Sequence, residues 1–209
     1  MTGTVLAIDS NYETLTNVAW NYRKSLIYPY MANKGFSFIH AEGIYAKRWF
    51  VRLNAIKPEV VYMTGVGHGS PHEYTGHNGM PVFKQGRYLR QEVEDKVVHF
   101  LSCYTARILG PSFVRHGCKA YFGYSEAFVV SDLRYKDVFF RCDSEIDIAF
   151  ADGLQAHQVH ERAISIFRYT IQSLRNDGKY HTAAALQHNL DCLCSPETSS
   201  IWGDREATI

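Results

Sequence analysis

One imidazole and one thiol each stand directly after a short apolar run of the chain. The run 60–67 leads into His68, and the run 96–102 leads into Cys103. A thiol becomes a nucleophile when a neighbouring base takes its proton, and an imidazole often serves as that base. Gly69 lets a substrate approach the backbone, and its N–H and that of Cys103 are candidates for binding an oxyanion. These residue types predict acyl transfer by a Cys–His pair.

The elements that carry the two residues must bring them together for this chemistry to work. Both apolar runs are continuous and rich in β-branched and aromatic residues, as buried parallel strands are. Catalytic groups collect at the carboxyl ends of parallel strands, so neighbouring strands would bring His68 and Cys103 to one edge. A helix predicted to begin near Thr105 would favour the thiolate through its dipole. No acidic third member is evident.

The rest of the chain alternates strands with helices. Strands are predicted over residues 4–9, 36–40 and 118–124, and helices over residues 12–32, 46–55, 88–95, 105–116 and 181–193, with helix dominant from residue 136. This order predicts an α/β sandwich around a mainly parallel sheet of about five strands. The polar stretch 70–79 is predicted to be a loop, and the tail 195–209 to be loosely ordered.

Composition limits the classes of function. The chain has 209 residues, and its 22 basic and 21 acidic residues give a net charge of +1, so no general attraction to nucleic acid or anionic membrane follows. No apolar run is long enough for a membrane span. The N-terminus does not resemble a signal peptide, and five unevenly spaced cysteines indicate reduced thiols, which predicts a cytoplasmic protein. The absence of repeats and linkers predicts one domain over residues 1–209.

The two runs with their reactive ends resemble the paired signature of the caspase-like (clan CD) cysteine peptidases. That signature is an apolar block ending in His-Gly and a second block ending in a small residue and Cys; Ser102 is the small residue here. Residues 104–110 and 120–124 are most similar to the gingipain-type and CHAT branches found in bacteria, and the resemblance covers about residues 5–124. It implies a three-layer α/β/α sandwich, with the helical part from about residue 136 outside the resemblance.

The resemblance also implies an activity, which is cleavage of a specific protein through a thioester acyl-enzyme. His68 matches the family's catalytic His, Cys103 its nucleophile and Gly69 its oxyanion glycine. By analogy, the reaction belongs to a bacterial defence or cell-death pathway. The implied partners are a protein or peptide substrate and an activating partner, with no cofactor and no metal.

Specificity in this family is set mainly by the P1 pocket, which receives the side chain on the acyl side of the cleaved bond. Glu126 and Asp132 are candidate acids of that pocket, and either would favour Lys or Arg at P1. Arg107 and Arg134 would instead favour an acidic P1, so the sign of the pocket stays open. Each carboxylate also has the simpler interpretation of a solvated loop residue.

Two other functions remain open on the sequence. One is a catalytically silent caspase-like module that binds a partner, which retention of both His68 and Cys103 disfavours. The other is a thiol amidase on a small molecule, with residues 70–79 closing over an enclosed pocket. His72, Glu73 and His77 form only a weak metal pattern, because they lack helical spacing and an evident further ligand.

Overall fold

The computed structural model describes residues 3–209 and arranges them as two β-sheets and seven α-helices. The strands are β1 (Thr4–Asp9), β2 (Ser37–Glu42), β3 (Val60–Val66), β4 (Gly69–Ser70), β5 (Glu73–Thr75), β6 (Pro81–Lys84), β7 (Val97–Leu101), β8 (Ala120–Tyr124) and β9 (Leu193–Cys194). The helices are α1 (Thr14–Tyr22), α2 (Tyr28–Asn33), α3 (Arg48–Ala55), α4 (Leu109–Arg115), α5 (Lys136–Ala151), α6 (Ala156–Asn176) and α7 (Tyr180–Asp191).

The main sheet has the order β2-β1-β3-β7-β8-β9. The first five of these strands are parallel, which confirms the predicted mainly parallel sheet. Every residue of β7 and β8 is buried, as expected for strands covered on both faces. The sequence does not predict the antiparallel edge strand β9, because two residues cannot show an alternation.

Two apolar cores lie on opposite faces of this sheet. One core packs α1, α2, α5, α6 and α7 against the sheet, and the other packs α3, α4 and the strands β5 and β6. The molecule is therefore a three-layer α/β/α sandwich, the fold class that the sequence predicts. Within residues 3–209, no helix has both the length and the apolar character needed to cross a membrane.

The first helical stretch is continuous over nearly the predicted range but changes its pitch. A π-helical segment, Arg23–Ile27, joins α1 to α2 just before Pro29. A proline has no N–H to donate and its ring clashes with the carbonyl four residues earlier, so the wider segment accommodates it. Arg23, on this segment, is fully buried.

Arg23 enters a cluster of buried charges between the sheet and α5. Its guanidinium lies 3.4 Å from Asp143 and 3.1 Å from Asp147, and His99 of β7 lies 3.2 and 3.3 Å from the same carboxylates. The hydroxyl of Thr64 donates to Asp147 at 2.7 Å. Burial alone would lower the pKa of His99, but the two carboxylates outweigh it and raise the pKa to about 9. His99 is therefore cationic at neutral pH.

Three local predictions are wrong, and in the first two of them contacts distant in sequence override a polar composition. The stretch 70–79 is part of the three-stranded antiparallel sheet β4-β5-β6. The tail 195–209 is packed rather than loose, since Trp202 Nε1 donates to the carbonyl of Ala106 at 2.9 Å and Ala207 is buried. The predicted helix 88–95 is only a short 3₁₀ turn, Arg90–Glu92.

Candidate active site

His68 and Cys103 lie at the same edge of the main sheet. Strands β3 and β7 are parallel neighbours in which Val66 stands opposite Leu101, and each reactive residue follows its strand by two positions. Both side chains line one cavity of about 50 Å³. The structure thus brings together the imidazole and the thiol that the sequence singles out.

Cys103 occupies a tight turn instead of the start of a helix. The prediction of a helix from near Thr105 is wrong, because α4 begins only at Leu109. Tyr104 adopts a left-handed conformation with φ 63°, and its N–H donates to the carbonyl of Glu126 at 3.0 Å. Burial raises the pKa of the Cys103 thiol, and backbone groups at Phe128 and at Cys103 itself offset only part of that effect. The thiol is therefore neutral until a base takes its proton.

His68 is held by a carboxylate that the sequence analysis missed. Glu13 Oε2 lies 2.6 Å from His68 Nε2, and the ring of Tyr12 packs edge-on at 6.2 Å. With Nε2 engaged, Nδ1 is the ring nitrogen left to accept a proton from the thiol. A carboxylate in this position fixes the orientation of the ring and stabilises the imidazolium. The available signal was position, since Glu13 follows the carboxyl end of β1, at the same sheet edge.

Gly69 and Ser102 meet at very close range beside the nucleophile. A side chain at Gly69 would collide with Ser102 Oγ and with the carbonyl of Cys103. The close approach of the two strand ends therefore requires glycine at this position. Ser102 is 2% exposed, and its hydroxyl has no hydrogen-bond partner within residues 3–209. A buried donor thus stands unpaired next to Cys103.

The structure does not bring the two candidate pocket acids to this cavity. Glu126 pairs with Arg107, whose Nε also donates to the carbonyl of Ser125 at 2.6 Å. Asp132 pairs with Arg134 at 2.6 Å and accepts from its backbone N–H. Each carboxylate is thus balanced by an arginine outside the cavity lining. Their role at P1 stays a prediction.

The C-terminal helical part positions one wall of the cavity. Phe128 and Val130, in the loop after β8, line it. Asn189 of α7 accepts from the N–H of Val129 and donates to its carbonyl, both at 2.8 Å. Sequence reasoning left these helices without a role, because a hydrogen bond across 60 positions leaves no local pattern.

No cluster of three or more potential metal ligands occurs within residues 3–209. The loop residues of the weak metal pattern have other contacts: His72 bonds Gln85 at 2.8 Å, and the ring of His77 packs against Tyr12 at 6.5 Å. This arrangement of residues suits attack by a thiol on a carbonyl carbon, with an imidazole to take the proton of the thiol.

Fold and site together define an α/β/α sandwich with a thiol and an imidazole at the carboxyl edge of its parallel sheet. Among solved structures, the chain is similar to RgpB of Porphyromonas gingivalis, determined as a complex of its pro- and mature domains. The TM-score is 0.53 at 10% identity, over 100% of this chain and 48% of that one. The chain thus spans about half the length of that neighbour, and the likeness extends to the fold alone. No family model and no curated protein matches the sequence.

Proposed function

We propose that the protein is a cysteine endopeptidase that uses Cys103 as nucleophile and His68 as general base. The observation that carries this proposal is the shared cavity, in which thiol and imidazole face one space at the ends of adjacent parallel strands. Glu13 adds to it, because a 2.6 Å contact to Nε2 prepares the ring for proton transfer through its other nitrogen.

The proposed reaction has two halves. His68 removes the proton from Cys103, and the sulfur attacks the peptide carbonyl to give a tetrahedral oxyanion, which the N–H groups of Gly69 and Cys103 bind. The carbon–nitrogen bond then breaks, and the imidazolium gives its proton to the departing amine. A water molecule, deprotonated by His68, hydrolyses the remaining thioester and restores the thiol. Because burial raises the thiol pKa, proton removal accompanies attack rather than preceding it.

A protein or peptide substrate is favoured over a small metabolite. A pocket that encloses a small molecule usually measures about 300–1,000 Å³, whereas this cavity of about 50 Å³ suits one side chain. The stretch proposed as a lid is tied into the core, since the ring of Tyr74 is buried and stacks on Phe100 at 4.0 Å. The amidase alternative therefore lacks both its enclosed pocket and its lid.

Biological context extends the proposal by analogy with bacterial caspase-like proteins. We propose a cytoplasmic enzyme that cleaves a specific protein in a defence or cell-death pathway and is controlled by an activating partner. The solved complex of RgpB pro- and mature domains is an example of partner binding on this fold.

The test compares the intact protein with Cys103→Ala and with Cys194→Ala, a thiol control at a buried position. Each is incubated with fluorogenic peptides that carry every amino acid at P1, and the thiols are mapped with iodoacetamide under native conditions. We expect the intact protein and Cys194→Ala to cleave the peptides, and Cys103→Ala not to. In the intact protein, iodoacetamide should alkylate Cys103 and not the four buried cysteines. Cleavage that survives in Cys103→Ala refutes the nucleophile. No cleavage with an inert Cys103 leaves the silent partner-binding module.

A further inference from the structure

We infer that the cavity shared by Cys103 and His68 receives the P1 side chain and selects a small aliphatic one. This inference rests on the proposed function and names its substrate class. In the proposed attack, the carbonyl carbon lies against the sulfur of Cys103. The P1 side chain branches from the carbon atom directly bonded to that carbonyl, so it must occupy space that begins at Cys103. The cavity is such a space, since both His68 and Cys103 line it.

The walls of the cavity are mainly apolar, with the hydroxyls of Thr16 and Ser102 as the polar groups besides His68 and Cys103. Leu15 and Ala19 come from α1, Phe140 from α5, and Phe128 and Val130 from the loop after β8. These elements close the cavity between the sheet edge and one helical layer, so a side chain that enters leaves water. Apolar area removed from water is the main source of affinity in such a pocket.

No charged partner is available to a charged P1 side chain. Among the residues that line the cavity within the described part of the chain, only His68 and Cys103 can ionise. Glu126 and Asp132 lie outside the lining and are balanced by arginines. An unpaired charge in an apolar pocket carries a large desolvation penalty, so Arg, Lys and Asp are disfavoured.

The size of the cavity narrows the choice further. At about 50 Å³, the cavity lies far below the roughly 300–1,000 Å³ of pockets that enclose whole small molecules, so it suits a side chain with few non-hydrogen atoms. Val, Leu and Ile side chains have about three or four, whereas Phe and Arg have about seven. The geometry therefore favours Val, Leu or Ile over Ala, which leaves space empty, and over Phe, which does not fit.

The experiment measures kcat/KM on peptide amides that differ only at P1, with Ala, Val, Leu, Phe, Lys, Arg or Asp. For the intact protein we expect Leu or Val to exceed Ala by at least about tenfold, since each methylene in a hydrophobic pocket changes rates by roughly 10- to 200-fold. Lys, Arg and Asp should fall at least about 100-fold below Leu. A preference for Lys or Arg would overturn the inference in favour of Glu126 or Asp132, and a preference for Asp in favour of Arg107 or Arg134.

Two variants in the loop wall test whether this cavity makes the choice. Val130→Asp places a carboxylate at the wall and should raise the Arg-to-Leu ratio by at least tenfold. Its matched control is Val129→Asp, the next side chain in the loop, which does not line the cavity and should leave the ratio unchanged. Phe128→Ala should enlarge the space and raise the Phe-to-Leu ratio. Unchanged ratios in both Val130→Asp and Phe128→Ala would overturn the assignment.

A binding measurement separates failure of the pocket from failure of the proposed function. Fluorescence anisotropy on Cys103→Ala compares labelled peptides with Leu or Arg at the P1 position, without any catalysis. Tighter binding of the Leu peptide, together with no cleavage by the intact protein, would retain the pocket and refute the endopeptidase. Efficient cleavage by the intact protein with equal binding of the two peptides would retain the endopeptidase and refute the pocket.

Discussion

Replacement of Arg23 by Met should destabilise the fold by several kilocalories per mole. Arg23 lies between Asp143 and Asp147, at 3.4 and 3.1 Å, with all three side chains buried. Asp9 is a third buried carboxylate that interacts with Arg23, so even with His99 cationic the substitution leaves buried negative charge uncompensated. Removal of one member of a buried ion pair typically costs about 3–5 kcal/mol. Since whole domains are stable by only about 5–15 kcal/mol, this loss is large.

Urea unfolding followed by circular dichroism measures the effect. A loss of about 4 kcal/mol, at a typical dependence of about 2 kcal/mol per molar urea, lowers the midpoint by about 2 M. Adding Asp147→Asn to Arg23→Met removes part of the uncompensated charge and should restore part of the loss. A double variant no more stable than Arg23→Met would contradict the charge argument.

Arg134→Met is the matched control for Arg23→Met. This arginine pairs with Asp132 at 2.6 Å, but its side chain is 83% exposed. Exposed pairs contribute little to stability, so the midpoint should not change measurably. Equal shifts for Arg23→Met and Arg134→Met would refute the reasoning that burial makes the cluster important.

Three further predictions concern other groups. Glu13→Gln should lower kcat by roughly 10- to 100-fold with KM nearly unchanged, because the ring of His68 loses its carboxylate. The control is Glu94→Gln, since Glu94 accepts a hydrogen bond from Arg90 instead. An equal loss of kcat in both variants would contradict a role for Glu13. Folding stability should decline as the pH rises from about 6.5 through 9, because the raised pKa of His99 favours the folded state only while the ring is protonated. Urea midpoints at pH 6 and 9.5 measure the decline. An equal decline in His99→Gln would refute the assignment to His99. Ser102→Ala should keep the free energy of unfolding unchanged or raise it by up to about 1 kcal/mol, because the buried hydroxyl has no partner to lose. Urea unfolding measures this, and a clear drop would show that the hydroxyl is bonded.

The sequence by itself predicted the five parallel strands of the main sheet and singled out the reactive side chains that follow two of them. Strand β1 has the predicted bounds, and β3 and β7 lie within the predicted apolar runs. Such strands are readable because burial on both faces imposes an apolar run on consecutive residues. The parallel topology then follows from alternation with helices, and it sends His68 and Cys103 to one edge.

Local sequence patterns gave wrong predictions where distant residues, and not neighbours along the chain, decide the conformation. The tail 195–209 looks polar, yet a single indole bond from Trp202 to Ala106 and the burial of Ala207 attach it to the fold. The predicted start of α4 is too early. Residues 105–108 have acceptable helix propensity, but their backbone groups bond outside a helix; the N–H of Ala106, for example, donates to the carbonyl of Tyr124 at 3.1 Å.

Only the tertiary structure decided which groups surround His68 and Cys103. Glu13 reaches His68 across 55 positions, and Asn189 holds the cavity loop across 60. The burial of Arg23 with Asp143, and the mainly apolar lining of the cavity beside Cys103, arise in the same way. Burial, charge pairing and cavity shape are sums over residues from distant segments, so no window of the sequence contains them. Strand identity depends on neighbours along the chain, whereas the environment of a site depends on neighbours in space.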